Sequence, residues 1–293
     1  MNYKFLEGDS QFSKSINEIS KSDFYRKLTP ELGYQHKIGH IQKVMLLAQI
    51  IAQSENIDEE QTRILLASAA FHDSGRTRDR DNGEHGESSA KIAGEYFRKN
   101  QNNQYGIMQS EVGIVQVAIA YHVIIESTPR KIDEKKLAEL CYKYDVNIPE
   151  NFEKVKTIAT ILKDSDALDR TRFSSKTSLK NNLNPELLRT KTAKQQSVIE
   201  LARKVNQIYA GYMLRENYHN KQVVQGDNAK TLQFLRHDYK TKNGGIRKKE
   251  KEPPIEIVKL IFKESLKDIR TRDKEQISEN TLYNRREKDE LEL

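Results

Sequence analysis

Apolar residues recur along this chain at helical spacing, and no stretch alternates apolar and polar positions as a half-buried strand would. The pattern predicts an all-α protein. Helices are expected over roughly 39–54, 59–73, 85–100, 109–123, 133–144, 152–168, 192–214, 228–238 and 255–270, behind a helical segment within residues 1–30. The plainest start signal is Asp58. Its carboxylate, just ahead of the run ILLASAAF, can accept from the free amides of the first turn, and Gln61 completes a capping-box pattern. That helix should stop at Gly75, and the charged, unpatterned stretch from Arg76 to Glu84 reads as an exposed loop.

Several polar residues sit on stripes that should face the core. His40 shares its face with Val44, Leu47 and Ile51, and His36 lies one turn earlier on that face. His122 follows Val115 and Ala118 on an apolar stripe, and Asp166 follows Ile158 and Leu162. His72 and Asp73 together end a helix that is otherwise almost wholly apolar. An ionised carboxylate buried without a partner is strongly disfavoured, so an inward Asp neutralises, pairs with a cation or binds metal. A divalent ion satisfies His40, His72, Asp73 and Asp166 at once. Imidazole nitrogens with carboxylate oxygens suit Mn, Fe, Zn, Ni or Mg, and the absence of thiolates argues against a structural zinc. His36 remains open as a ligand, a residue behind the ligands or a substrate contact. His219 and His237 have no such pattern and read as ordinary histidines.

Composition bounds the picture. With 293 residues, 36% hydrophobic and 32% charged, the chain can build a substantial core without disulfides. A single cysteine, Cys141, fits a reducing compartment and excludes an all-cysteine metal site. The longest apolar run is far short of a membrane span, and the polar N-terminus lacks the apolar core of a secretion signal, so a cytoplasmic protein without membrane partners is expected. The net charge of +7 is modest and partly concentrated between Lys240 and Lys251. Without interleaved aromatic rings this run reads as a solvated loop rather than a nucleic-acid contact. Gly244-Gly245 and Pro253-Pro254 break the helical pattern there. Residues 240–293 are therefore expected to form a basic linker, an amphipathic helix that docks or pairs with something, and a mobile tail.

The motifs HKIGHIQKV, AAFHDSGR, EHGESSAKIA, AIAYH and KDSDALDRTRF, in that order between His36 and Arg172, resemble the HD-domain superfamily of metal-dependent phosphohydrolases. The resemblance implies a helical bundle over residues 31–239 with a C-terminal helical extension. It also implies that His40, His72, Asp73 and Asp166 hold one divalent ion, and that in members with the extra histidines Asp73 bridges to a second, bound by His85 and His122. Asp73, His85, His122 and Arg76 would then be the catalytic set, with His36, Arg76, Arg170 and Arg172 as substrate contacts. The expected substrate is a small phosphorylated molecule, foremost a nucleotide. No GYP segment follows His122, and the residues after the His-Asp pair match neither alarmone hydrolases nor deoxynucleotide triphosphohydrolases. The closest texture is similar to small stand-alone HD proteins and, in part, to phosphodiesterase domains acting on ADP-ribosylated ubiquitin. The alternatives are a phosphodiesterase for a protein-linked ADP-ribose-type substrate, and a non-catalytic or metal-free module of the same fold that binds nucleic acid or a protein.

Overall fold

A computed structural model describes residue 5 and residues 10–21, 38–77, 83–126, 130–173, 183–217 and 259–263 of the chain. Among these residues the secondary structure is helical with no strand. Eight α-helices follow in order: α1 (Gln11–Lys21), α2 (Ile38–Ser54), α3 (Glu59–Phe71), α4 (His85–Lys99), α5 (Val112–His122), α6 (Glu134–Lys143), α7 (Ile148–Asp169) and α8 (Gln196–Asn217). The expected helix over 228–238, the run from Lys240 to Lys251, and His36, His219 and His237 lie outside the described residues.

The middle of the bundle is α2. Val44, Leu47 and Ile51 are buried as their common stripe predicts, but so is every residue from Gly39 to Ala52, including Gln42, Lys43 and Gln49. A helix enclosed on all sides reflects an almost continuously apolar sequence, with α3 and α7 packed against it. Helix α5 is likewise buried at every residue but Gly113 and packs on α3, α4 and α7. Three helices that carry candidate ligands thus meet in one core, where Ile64 and Leu65 of α3, Val115 and Ile119 of α5 and Ile158 and Leu162 of α7 are fully enclosed.

Local chemistry explains the helix ends. Asp58 caps α3, its Oδ1 accepting from the Gln61 amide at 2.7 Å. Asp133 does the same for α6, accepting from the Lys136 amide at 3.1 Å. Helix α7 begins at Ile148, ahead of the expected Phe152, because Pro149 in the first turn has no amide that needs a partner there. The expected helix over 109–123 divides into a 3-10 turn, Gln109–Glu111, and α5. There Arg63 grips Glu111 with two bonds of 2.6 and 2.7 Å. Residues 191–194 form a turn, so α8 starts at Gln196 rather than near Thr192.

At the C-terminal side, residues 259–263 are helical, with Ile261 and Phe262 buried. Lys259 Nζ donates to Ser13 Oγ of α1 at 2.9 Å, so this part of the amphipathic segment docks on the N-terminal helix. No helix among the described residues is long and apolar enough to cross a membrane.

Candidate metal centre

The site starts from the end of α3. Phe71 is clamped among Tyr96, Phe97 and Tyr105, with ring centroids 4.9 to 5.7 Å away. Directly after this anchor the chain leaves the helix through a turn over residues 72–75, in which Ser74 and Arg76 donate to the Phe71 and Asp73 carbonyls. Gly75 is required where this turn meets α4: an added Cβ would stand 2.5 Å from Ser89 N and from Ser88 Cβ. Its amide donates to Ser89 Oγ at 2.8 Å. The close approach aims His72 and Asp73 inward, with exposures of 0% and 2%.

Asp73 then lies between two groups of histidines. Its Oδ2 is 3.5 Å from His40 Nε2, and its Oδ1 is 3.0 Å from His85 Nε2 and 3.9 Å from His122 Nε2. His40, His72 and Asp73 form one set able to hold a metal ion, and Asp73, His85 and His122 form another. In each set two imidazole Nε2 atoms face each other at 3.2 Å. Two nitrogens each about 2.1 Å from a shared ion would stand roughly 3.0–3.4 Å apart, so the spacing matches a common ligand sphere.

The tautomers fit as well. His72 Nδ1 lies 2.8 Å from the Ala69 carbonyl, His122 Nδ1 lies 2.5 Å from the Ile119 carbonyl, and His40 Nδ1 lies 2.7 Å from Asp169 Oδ2. A ring whose Nδ1 donates to an oxygen presents Nε2 inward as a lone pair, the arrangement that orients a metal-binding histidine. The donor set of imidazole and carboxylate suits a divalent ion and supplies no reason to select one metal over another.

Asp166 reaches the first set, with its Oδ1 3.3 Å from His40 Nε2 and 3.8 Å from His72 Nε2. Its side chain is 32% exposed rather than enclosed, so it lines the open side of the cluster, whereas Ile158 and Leu162 on the same helix are fully buried. Arg76 departs from the exposed-loop expectation. Its side chain is 13% exposed, with Nε 3.1 Å from Asp73 Oδ1 and Nη2 3.1 Å from His85 Nε2.

The two arginines after α7 are placed differently from Arg76. Arg170 is exposed, and no hydrogen bond or ion pair ties it to the cluster among the described residues. Arg172 is 8% exposed and donates through Nη1 to Asp169 Oδ2 at 2.9 Å. The reason is local: residues 170–173 coil as a 3-10 turn, which folds Arg172 back onto the carboxylate three positions before it.

Sequence reasoning missed the residues behind the ligands. Asp169, fully buried, holds His40 and is held by Arg172 and by Lys43 Nζ at 3.3 Å. Lys43 also donates to Asn206 Oδ1 at 2.5 Å, while Asn206 Nδ2 donates to Thr171 Oγ1 at 2.8 Å. On the far side, Lys163 donates to the His122 and Ile124 carbonyls and pairs with Glu126, which pairs through Arg189 to Asp164. The available signal was helical spacing: Asp169 is one turn after Asp166, and Lys43 one turn after His40.

Charge distributes unevenly. Burial and the Arg172 charge pull the His40 imidazole down, yet hydrogen bonds to Asp166, Asp169 and Asp73 outweigh them and push it up to about 9. Burial raises Asp169, but Lys43, Arg172 and His40 together hold it well below the usual carboxylate range. His122 is pulled down to about 3 by burial and by the neighbouring His72 and His85. Burial likewise pulls His72 down, so without an ion His40 is the imidazole held in its charged form while His72 and His122 are held neutral.

A groove of about 570 Å³ adjoins the second set in sequence, lined by Gly83 ahead of His85 and by Val123 and Ile124 after His122. Leu140 and Lys136 of α6 close its other side.

Compared with known proteins, residues 38–171 match the family model described as HD domain, a span that begins with α2 and ends just past α7. No curated protein and no solved structure matches the chain.

Proposed function

Residues 38–171 of this chain form an HD domain, a member of the superfamily of metal-dependent phosphohydrolases, and from that premise we propose that it hydrolyses a small phosphoester, foremost a nucleotide, with two divalent ions. The observation that carries the reading is Asp73, whose Oδ2 lies 3.5 Å from His40 Nε2 and whose Oδ1 lies 3.0 Å from His85 Nε2 and 3.9 Å from both His72 and His122 Nε2, so that it belongs to both histidine sets. A monodentate structural role would not need both oxygens aimed at ligand nitrogens.

When bound, divalent ions at such a site polarise a phosphoryl oxygen and lower the pKa of a water. The chain's own residues do the rest. His40, His72 and Asp166 would hold the first ion and His85 and His122 the second, with Asp73 in reach of both sets. Asp169 keeps the His40 ring oriented, with Lys43 and Arg172 holding the carboxylate in turn. His122, low in basicity, stays a neutral ligand at ordinary pH. Arg76 offers a planar fork that matches two phosphate oxygens. Asp166, the most exposed of the ligand residues, marks the side from which a substrate would approach.

The test is turnover by the full chain reconstituted with Mn²⁺, across nucleotides and an aryl phosphodiester, beside Asp73→Ala. Metal-dependent hydrolysis lost in the variant supports the reading. Hydrolysis that survives Asp73→Ala, or none with any phosphoester while metal is bound, overturns it.

A further inference from the structure

Arg76 occupies donor atoms that a metal ion would also need. Its Nη2 lies 3.1 Å from His85 Nε2, and its Nε lies 3.1 Å from Asp73 Oδ1. Arginine stays protonated and can only donate, so wherever Nη2 bonds to His85 Nε2 that nitrogen supplies its lone pair. That is the same unprotonated nitrogen that would ligate metal, and an imidazole nitrogen has one lone pair. We propose that Arg76 and the second divalent ion compete for His85 and Asp73, so that the second ion is favoured when a phosphate draws Arg76 away. The proposal rests on the two-ion reading above.

The cluster is asymmetric in this respect. Around the first set, the cations Lys43 and Arg172 sit on Asp169, behind His40, and each lies within bonding distance of that carboxylate. Around the second set the cation sits on the ligands themselves. Release of Arg76 needs little rearrangement. Its backbone amide is fixed to the Asp73 carbonyl at 3.0 Å, while its long side chain can rotate about staggered torsions without moving the turn. A phosphate at the open side offers the guanidinium a better partner than one imidazole, because the fork meets two anionic oxygens. Linkage then makes the effect reciprocal: phosphate tightens the second ion, and the second ion tightens phosphate by the same factor.

The experiment titrates metal-free full-length protein with Mn²⁺ alone, by calorimetry, with and without inorganic phosphate. Wild type is expected to bind a first ion tightly and a second more weakly, with phosphate tightening the second by about tenfold. Arg76→Met, which keeps length and loses charge, is expected to bind the second ion about tenfold tighter without phosphate, with the phosphate effect reduced. Arg76→Lys, which keeps the charge but not the fork, guards against misfolding and should also bind the second ion more tightly than wild type. Equal second-ion affinity in wild type and both variants overturns the competition while leaving the two-ion reading standing. A single ion per chain in every protein, even with phosphate, overturns the two-ion reading and the competition together.

Discussion

The two halves of the cluster share Asp73, and His40 in one and His122 in the other are supported in opposite ways, while His72 rests like His122 on a backbone carbonyl. Behind His40 stands a buried carboxylate, Asp169, itself gripped by Lys43 and Arg172, so the ring is oriented by charge. Behind His122 stands a backbone carbonyl, that of Ile119, and the ionic network of Lys163, Glu126, Arg189 and Asp164 fixes the chain around the ligand instead of the ring. A charged support responds to pH and to single-charge substitutions; a carbonyl support does not. The difference teaches that ligands of similar appearance need not have similar affinity for an ion, because the groups behind them set the protonation state.

The largest effect should come from removing what the halves share. Asp73→Ala is expected to lose metal from both sets and to lower turnover by about a thousandfold or more, read by elemental analysis and by assay of the same preparation. Retention of two ions would dissolve the picture of a shared carboxylate. Next come substitutions that separate the halves. Asp169→Asn should weaken the first ion by about 10–100-fold with little change at the second, whereas His122→Ala should leave one ion per chain. Equal losses at both sites in a metal titration of either variant would mean that the halves act as a unit.

A pH measurement sharpens the same contrast. In metal-stripped protein the folded-state value of His40, about 9, lies above the ordinary 6.5. Its contribution to stability is therefore complete below pH 6.5 and lost as pH rises through 9, an effect of about 3 kcal/mol. Urea unfolding at either end of that window should show the decline, and His40→Gln should remove it. A pH-independent midpoint in wild type would show that His40 is not held by charge. The smallest effect is the control: Asp58→Ala, far from both halves in function, should cost about 1 kcal/mol through loss of the cap and leave ion stoichiometry unchanged. A shift in stoichiometry there would trace metal affinity to global stability rather than to either half.

Much of the fold was legible before any coordinates. Val44, Leu47, Ile51, Ile158 and Leu162 are buried as helical spacing predicts, and Asp58 caps the helix it precedes. The failures have physical causes. Helix α7 starts earlier than its apolar stripe because Pro149 initiates a helix by having no amide to satisfy, which hydrophobic periodicity does not register. Lys43 and Asp169 escaped notice because charged residues ordinarily point to water, and they are buried only because they pair with each other across two helices. The pairing of Arg172 with Asp169 was not legible either, because it depends on a 3-10 turn that folds the arginine back onto the carboxylate three positions before it.

By itself the sequence determined the helical class, the stripes that turn His40, His72 and His122 inward, and the adjacent pair His72-Asp73 at the end of an apolar helix. These depend on spacing along one helix, and spacing is local. Only the tertiary structure decided that Asp73 lies within reach of both histidine sets, that Asp169 orients His40, and that Arg76 lies on His85. Those contacts join helices more than thirty residues apart in places, and one more than a hundred, as between His40 and Asp169. Their distances follow from how α2, α3, α5 and α7 pack, and no periodicity within a single element encodes that.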